Sequence, residues 1–320
     1  MPASSSRKWN SQLMPPPAKS KEQPSQGLKR IFREEIDSAL RLCRHPAKQR
    51  GVTVHETRKH LKKLRAALRL AAAQAGKDRH ARENRSLSQI AKLVSHLRDA
   101  HVRLQTLTHI REDMGGQCAA QPFPKIEELL SMERESFSAA FAGWRKQAIP
   151  KLEAAEKRLS GWPLDETTWK QVCGSVAKSY RRGRAALGKV FEKPTPENFH
   201  AWRKKVKELW YHLRLLEPLN RVVLKKIAGD AKTLGELLGL EHDFAFLLAR
   251  FDQEGTEPGL GDECAALRKL IRKRSAKLKR DATELGRRFY AEPPKAFAKR
   301  ISIFIKDWKS KKKKRRPAKK

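Results

Sequence analysis

One basic segment occurs twice in this chain. Residues 54–70 read VHETRKHLKKLRAALRL and residues 199–215 read FHAWRKKVKELWYHLRL. Pairing His55 with His200 gives an offset of 200 − 55 = 145, and the same offset aligns Arg58 with Arg203, Lys59 with Lys204, Lys62 with Lys207 and Arg69 with Arg214. Apolar positions keep step: Val54 with Phe199, Leu61 with Val206, Leu64 with Leu209, Leu68 with Leu213. A repeat that preserves both sets points to two equivalent helices, and, with a second similarity downstream of each copy, suggests two halves related by pseudo-twofold symmetry.

The spacing defines the faces. At about 100° per residue from His55, Arg58, Lys62, Arg65 and Arg69 fall at about 300°, 340°, 280° and 320°, a stripe under a quarter-turn wide. Leu61, Leu64 and Leu68 fall at about 240°, 180° and 220°, so the core-facing side lies directly beside the cationic one. In the second copy His200, Arg203, Lys207 and Arg214 repeat the stripe, while Trp210 replaces Arg65. Like charges at these spacings cost a few tenths of a kcal/mol (~0.2–0.5) per pair unless an anion neutralises them. A solvated face would need no such pattern, and recurrence at one offset with Glu excluded argues for a bound anion.

Thr53 with Glu56 reads as a capping box, and Asn198 occupies the position equivalent to Thr53, which would set His55 and His200 in the first turn beside free backbone N–H groups. Thr195 and Pro196 are an alternative, earlier start for the second helix. Ahead of the second copy, KSYRRGRAAL crowds Lys178, Arg181, Arg182 and Arg184 together as a second basic wall. Downstream of each copy a further similarity aligns Asp99 with Asp243, 243 − 99 = 144. These carboxylates are expected to pair with a basic side chain and order the cationic face.

Elsewhere Leu, Ile and Phe recur at three- and four-residue steps, and strand alternation is almost absent, so the chain reads as all-α with eight or more helices. Breaks fall at 45–51, 115–124, 160–163, 193–196, 255–261 and 293–294, where Gly and Pro concentrate. Residues 1–27 lack the apolar content to offset the entropy of ordering and read as a disordered tail, as does the like-charged run 309–320. The foldable part is 28–308, with halves of about 28–160 and 161–308.

Lys plus Arg total 72 against 35 Asp plus Glu, a balance of 72 − 35 = +37. Solubility requires far less, so a polyanionic partner is expected. Cys43, Cys118, Cys173 and Cys264 are isolated, which argues against a disulfide framework or a zinc site and fits a reducing cytoplasm. The opening MPASSSRKWNSQLMPPP is too polar for a signal peptide, and no stretch reaches membrane-span length.

With these motifs in hand the sequence resembles the CHAD family, the conserved histidine α-helical domain. The resemblance rests on H-x-x-R-K-x-x-K-x-x-R-x-x-L-R from His55 to Arg69, F-H-x-x-R-K-x-V-K-x-L from Phe199 to Leu209, Y-R-R-G-R from Tyr180 to Arg184, and the endings at Asp99 and Asp243. It implies two four-helix bundles about a pseudo-twofold axis, a central basic cleft, and inorganic polyphosphate as ligand, in some members with attachment to polyphosphate granules. Carried over by position, the ligand residues are His55, Arg58, Lys59, Lys62, Arg65, Arg69, His200, Arg203, Lys204 and Lys207, with Arg181 and Arg184 beside them. Arg214 completes the second stripe. No cofactor, catalytic residue or metal is expected, and the short polar head has no room for the catalytic domain that some members carry.

Two other functions compete. Nucleic acid would satisfy the charge and the KKKKRRPAKK tail, although no helix-turn-helix, zinc finger or aromatic-studded sheet is legible. A metal-dependent phosphohydrolase could start from His55, His200 and Glu241-His242-Asp243, but Arg and Lys beside each His would repel a cation.

Overall fold

The computed structural model describes residues 22–48, 50–93, 95–113, 122–135, 137–252 and 259–314. Among them are eleven α-helices and no strand. In chain order these are α1 (Pro24–Arg44), α2 (Arg50–Ala75), α3 (Lys77–Lys92), α4 (Ser95–Asp113), α5 (Pro124–Glu135), α6 (Phe137–Ser160), α7 (Trp169–Glu192), α8 (Pro196–Leu216), α9 (Arg221–Ala249), α10 (Gly261–Phe289) and α11 (Pro294–Lys314). A short 3-10 turn, Glu217–Leu219, follows α8.

The repeat reaches beyond the basic segments: shifting the α1 bounds by 145 gives 24 + 145 = 169 and 44 + 145 = 189, which lie within α7. Packing follows the same plan. α1 packs on α2 and α6 with α3 against α2 and α6, and α7 packs on α8 and α11. Where the first half breaks between α3 and α4, the second runs unbroken as the 29-residue α9. Gly76, in the left-handed region with φ 82°, ends α2 and allows α3 to fold back.

The halves share their interior. The larger apolar core joins α1, α2, α3 and α6 to α7, α8, α9 and α11, with Leu61, Leu64, Leu68, Trp202, Val206, Leu209 and Leu213 all at 0% exposure. Each such aliphatic side chain contributes about 1.5–3 kcal/mol by leaving water. A second core sets Leu107, Ile110, Ile126 and Leu130 of the first half against Phe244, Leu247, Leu267 and Ile271 of the second. One close approach fixes the second basic helix: a Cβ on Gly286 of α10 would lie 2.6 Å from the Trp202 ring, so only glycine admits that indole.

Three expectations are corrected. α1 begins at Pro24, inside the segment read as a tail, because Pro24, Gly27 and Leu28 are buried against the core. α11 runs on to Lys314, since Trp308 anchors it and the following Ser and Lys residues continue its helical backbone. The rest of both tails lies outside the described residues. Thr53 is not a cap: α2 starts at Arg50, and the buried Thr53 hydroxyl accepts from the Ala47 N–H at 2.9 Å. Thr195 caps α8 and Asn198 sits inside it, its backbone N–H bonded to the Thr195 hydroxyl at 3.3 Å. His55 and His200 therefore lie beyond the first turn of their helices, away from the free N–H groups.

Candidate functional site: a basic seam between two equivalent helices

On α2 the leucines bury completely and the polar stripe stays at the boundary. Arg58, Arg65 and Arg69 are half-buried and Lys62 is exposed. α8 repeats this with His200, Arg203 and Lys207 half-buried and Lys204 exposed. The two helices pack against each other, and Lys62 of the first stripe acts on Lys207 of the second, so the stripes meet in one seam.

The meeting point is Lys62 with Lys207. Lys207 is pulled well below the ordinary lysine range, first by burial, then by Arg203 and Lys62. These lysines are repeat equivalents, one from each half of the chain. Lys62 also acts on His200 and His242, whose rings meet at a tilt with centroids 4.2 Å apart and an interplanar angle of 34°. Burial, then Lys204, Arg203 and Lys62, holds His200 down to about 4. His242 is pushed down to about 3 by burial, then Arg203 and His200. Both imidazoles are therefore neutral at pH 7 in the free protein.

The two aligned arginines are held alike. Arg58 donates to the Ala91 carbonyl and to the Ser95 hydroxyl at 3.4 Å, and after burial, which weakens its proton affinity, Asp99 is the charge acting on it. Arg203 is likewise lowered by burial and opposed first by Asp243. The aligned carboxylates thus act on the aligned guanidiniums.

Toward the C-terminal end of the α2 stripe, one acid gathers the cations. Glu208, nearly buried, lies 3.4 Å from Arg69 and 3.9 Å from Lys205 and accepts from the Ser179 hydroxyl at 3.1 Å. Burial alone would raise Glu208; Arg69, His212 and Lys205 outweigh it and hold the carboxyl below its usual range. Arg65 donates to Asn84 at 2.9 Å and is lowered by burial, then by Arg69. Arg182 acts on His80, Lys205 and His212, which brings α7 to the seam. Beneath, the buried His212 donates its Nε2 proton to the Ala66 carbonyl at 2.9 Å and ties the halves together.

Other expected residues lie elsewhere. Lys59 is buried, with Nζ 3.0 Å from Glu56, because it falls on the side of α2 turned from Arg65 toward the acids Glu56 and Glu35. His55 is half-exposed beside Glu56 at 3.9 Å. Arg214 is spent on Glu217, which the turn after α8 folds back against it. Arg181 points to solvent, and Arg184 acts on Tyr180, whose hydroxyl bonds Glu292 and Phe289 carbonyls at the α10–α11 corner. Trp210 is buried against Tyr211 with ring centroids 4.8 Å apart. In place of these, Arg182, Lys205, His80 and His242 join the seam. The signal for Arg182 was its spacing: three residues after Ser179 it shares that residue's face, whereas Arg181 and Arg184 turn away.

Among the described residues no three His, Cys, Asp or Glu gather as a metal shell, and no helix is long and apolar enough to cross a membrane. Cys43, Cys173 and Cys264 are free and buried; Cys118 lies outside the described residues.

Residues 39–252 match the family model of the CHAD domain. Among solved structures, a crystal structure of the CHAD domain from the plant Ricinus communis is similar over 88% of this chain and 94% of that chain, with a TM-score of 0.62 and 15% sequence identity. At that identity the likeness is one of fold. No curated protein matches the sequence.

Proposed function

This chain belongs to the CHAD family, and from that premise we propose that it binds inorganic polyphosphate along the seam where α2 and α8 meet. One observation carries the reading: repeat-equivalent cations from distant parts of the chain, Lys62 and Lys207, converge on one line with Arg203, Lys204 and His200. A linear phosphate polymer has the repeating charge to neutralise such a line, and its binding releases condensed counterions as nucleic-acid binding does.

The residues divide the work by chemistry. Arg58, Arg65, Arg69 and Arg203 offer planar forks to adjacent phosphate oxygens, and Lys62 and Lys204 supply mobile charge. His200 and His242 begin neutral and take up protons when phosphate offsets the cations beside them, so mild acidification tightens binding. The reading is one of binding without turnover; Lys62, Arg203 and Lys204 would repel a metal ion at the His200–His242 pair. It implies a cytoplasmic protein that can coat polyphosphate granules.

The test is titration of long-chain polyphosphate into the purified protein and into a Lys62→Gln, Lys204→Gln variant, both sites being exposed and safe for folding. A loss of at least about tenfold in affinity supports the seam. Equal affinity in the two proteins rejects it. Duplex DNA at matched salt is the competitor, and stronger DNA binding through the same lysines would assign the seam to nucleic acid.

A further inference from the structure

The cations of α10 are sorted by position. Those on its two flanks are matched by acids: Arg268 lies 3.3 Å from Asp252, Arg274 3.7 Å from Asp113, Lys277 2.6 Å from Asp281 and Lys279 3.3 Å from Glu241, and Arg288 pairs with Glu284. Between the flanks, Lys269, Arg272, Lys273 and Arg280 are exposed, and among the described residues none of them makes an ion pair. At about 100° per residue these four fall within about 100° of arc, opposite the buried Leu267, Ile271 and Ala282.

The arrangement forms a ridge. Arg287 continues it, its guanidinium 4.7 Å over the ring of Phe191. From Lys269 to Arg287 the helix rises about 27 Å. Packing turns this ridge away from the seam: α10 meets α9 and Trp202 of α8 through its other face, where Gly286 admits the indole. Neighbouring cations at three- and four-residue spacing repel one another, and the carboxylates within reach go to the flanks.

We propose that the α10 ridge is a second polyphosphate track, so that one molecule holds two polyphosphate strands on separate faces and cross-links them. The inference rests on the seam being a polyphosphate site. Between Lys269 and Arg280 the ridge carries no aromatic ring on which a base could stack, so along that stretch it offers phosphate recognition, and the exposed Phe191 lies only at its Arg287 end. Bridging then follows from geometry, because a strand in the seam and a strand on the ridge have independent partners.

Mixed donor- and acceptor-labelled long-chain polyphosphate, followed by energy transfer as the full chain is added, tests the idea. The unaltered protein is expected to bring the two labels together at substoichiometric ratios. A Lys269→Gln, Arg272→Gln, Lys273→Gln, Arg280→Gln variant is expected to keep its tight strand binding and lose energy transfer by about tenfold. Undiminished transfer overturns the ridge, and so does loss confined to captured duplex DNA. The Lys62→Gln, Lys204→Gln variant separates the two failures: if it binds a single strand as tightly as the unaltered chain, the seam reading falls, whatever the ridge does.

Discussion

Lys62 and Lys207 occupy the same position in the two copies of the repeat, and the fold brings them close enough for the charge of one to depress the proton affinity of the other. At Lys207, burial, Arg203 and Lys62 together outweigh Asp243 and Glu236, and a bound anion would relieve that cost.

Replacing Glu208 by Gln separates stability from binding. The amide still accepts from Ser179, but Arg69 and Lys205 lose their countercharge, and stability should fall by about 1–3 kcal/mol in urea denaturation. Polyphosphate affinity should rise instead, because Glu208 no longer competes with phosphate for those cations. A variant that weakens both would show Glu208 to be structural only.

Repeat-equivalent arginines should behave differently. Arg69→Gln is expected to lower polyphosphate affinity and reduce the slope of log K against log salt by about 1. Arg214→Gln, whose guanidinium is held by Glu217, should leave the slope unchanged and lower thermal stability. Equal slopes for the two variants would contradict the placement.

Acid should loosen the fold. His200, His212 and His242 are depressed from 6.5 to about 4, about 4 and about 3, so between those values and 6.5 the unfolded chain binds more protons than the folded one. Stability is full above pH 6.5 and declines as pH falls toward 4. Urea midpoints at pH 7.5 and pH 5 measure this; a midpoint that rises on acidification would reverse the sign.

Polyphosphate binding should be coupled to proton uptake by His200 and His242. The phosphate oxygens offset Lys62, Arg203 and Lys204, which raises His200 and His242, and affinity should therefore increase from pH 8 to pH 6. Calorimetric titrations in buffers of different ionisation enthalpy report the uptake directly. Proton release on binding would exclude these histidines from the contact.

The helices were legible because Leu61, Leu64 and Leu68 keep a period that only a buried helix face needs, and the repeat located both stripes without coordinates. Spacing could not show what folds back against a stripe: Glu217 captures Arg214 through the turn after α8, and Glu56 captures Lys59, both local choices that one residue of rotation decides. Arg182 was hidden among four cations of one segment until the Ser179–Glu208 bond fixed which face of α7 meets α8. The cap at Thr53 failed because α2 has another turn, in which that hydroxyl serves Ala47. The tilted ring contact of His200 with His242 joins residues of different helices, a register that no periodicity contains.

The most direct measurement is equilibrium binding of long-chain polyphosphate to the full chain beside its Lys62→Gln, Lys204→Gln variant across a salt series. Polyphosphate held in the seam requires weaker binding by the variant at every salt concentration and a salt slope smaller by about 2, one unit for each cation removed. Superimposable binding curves would contradict it.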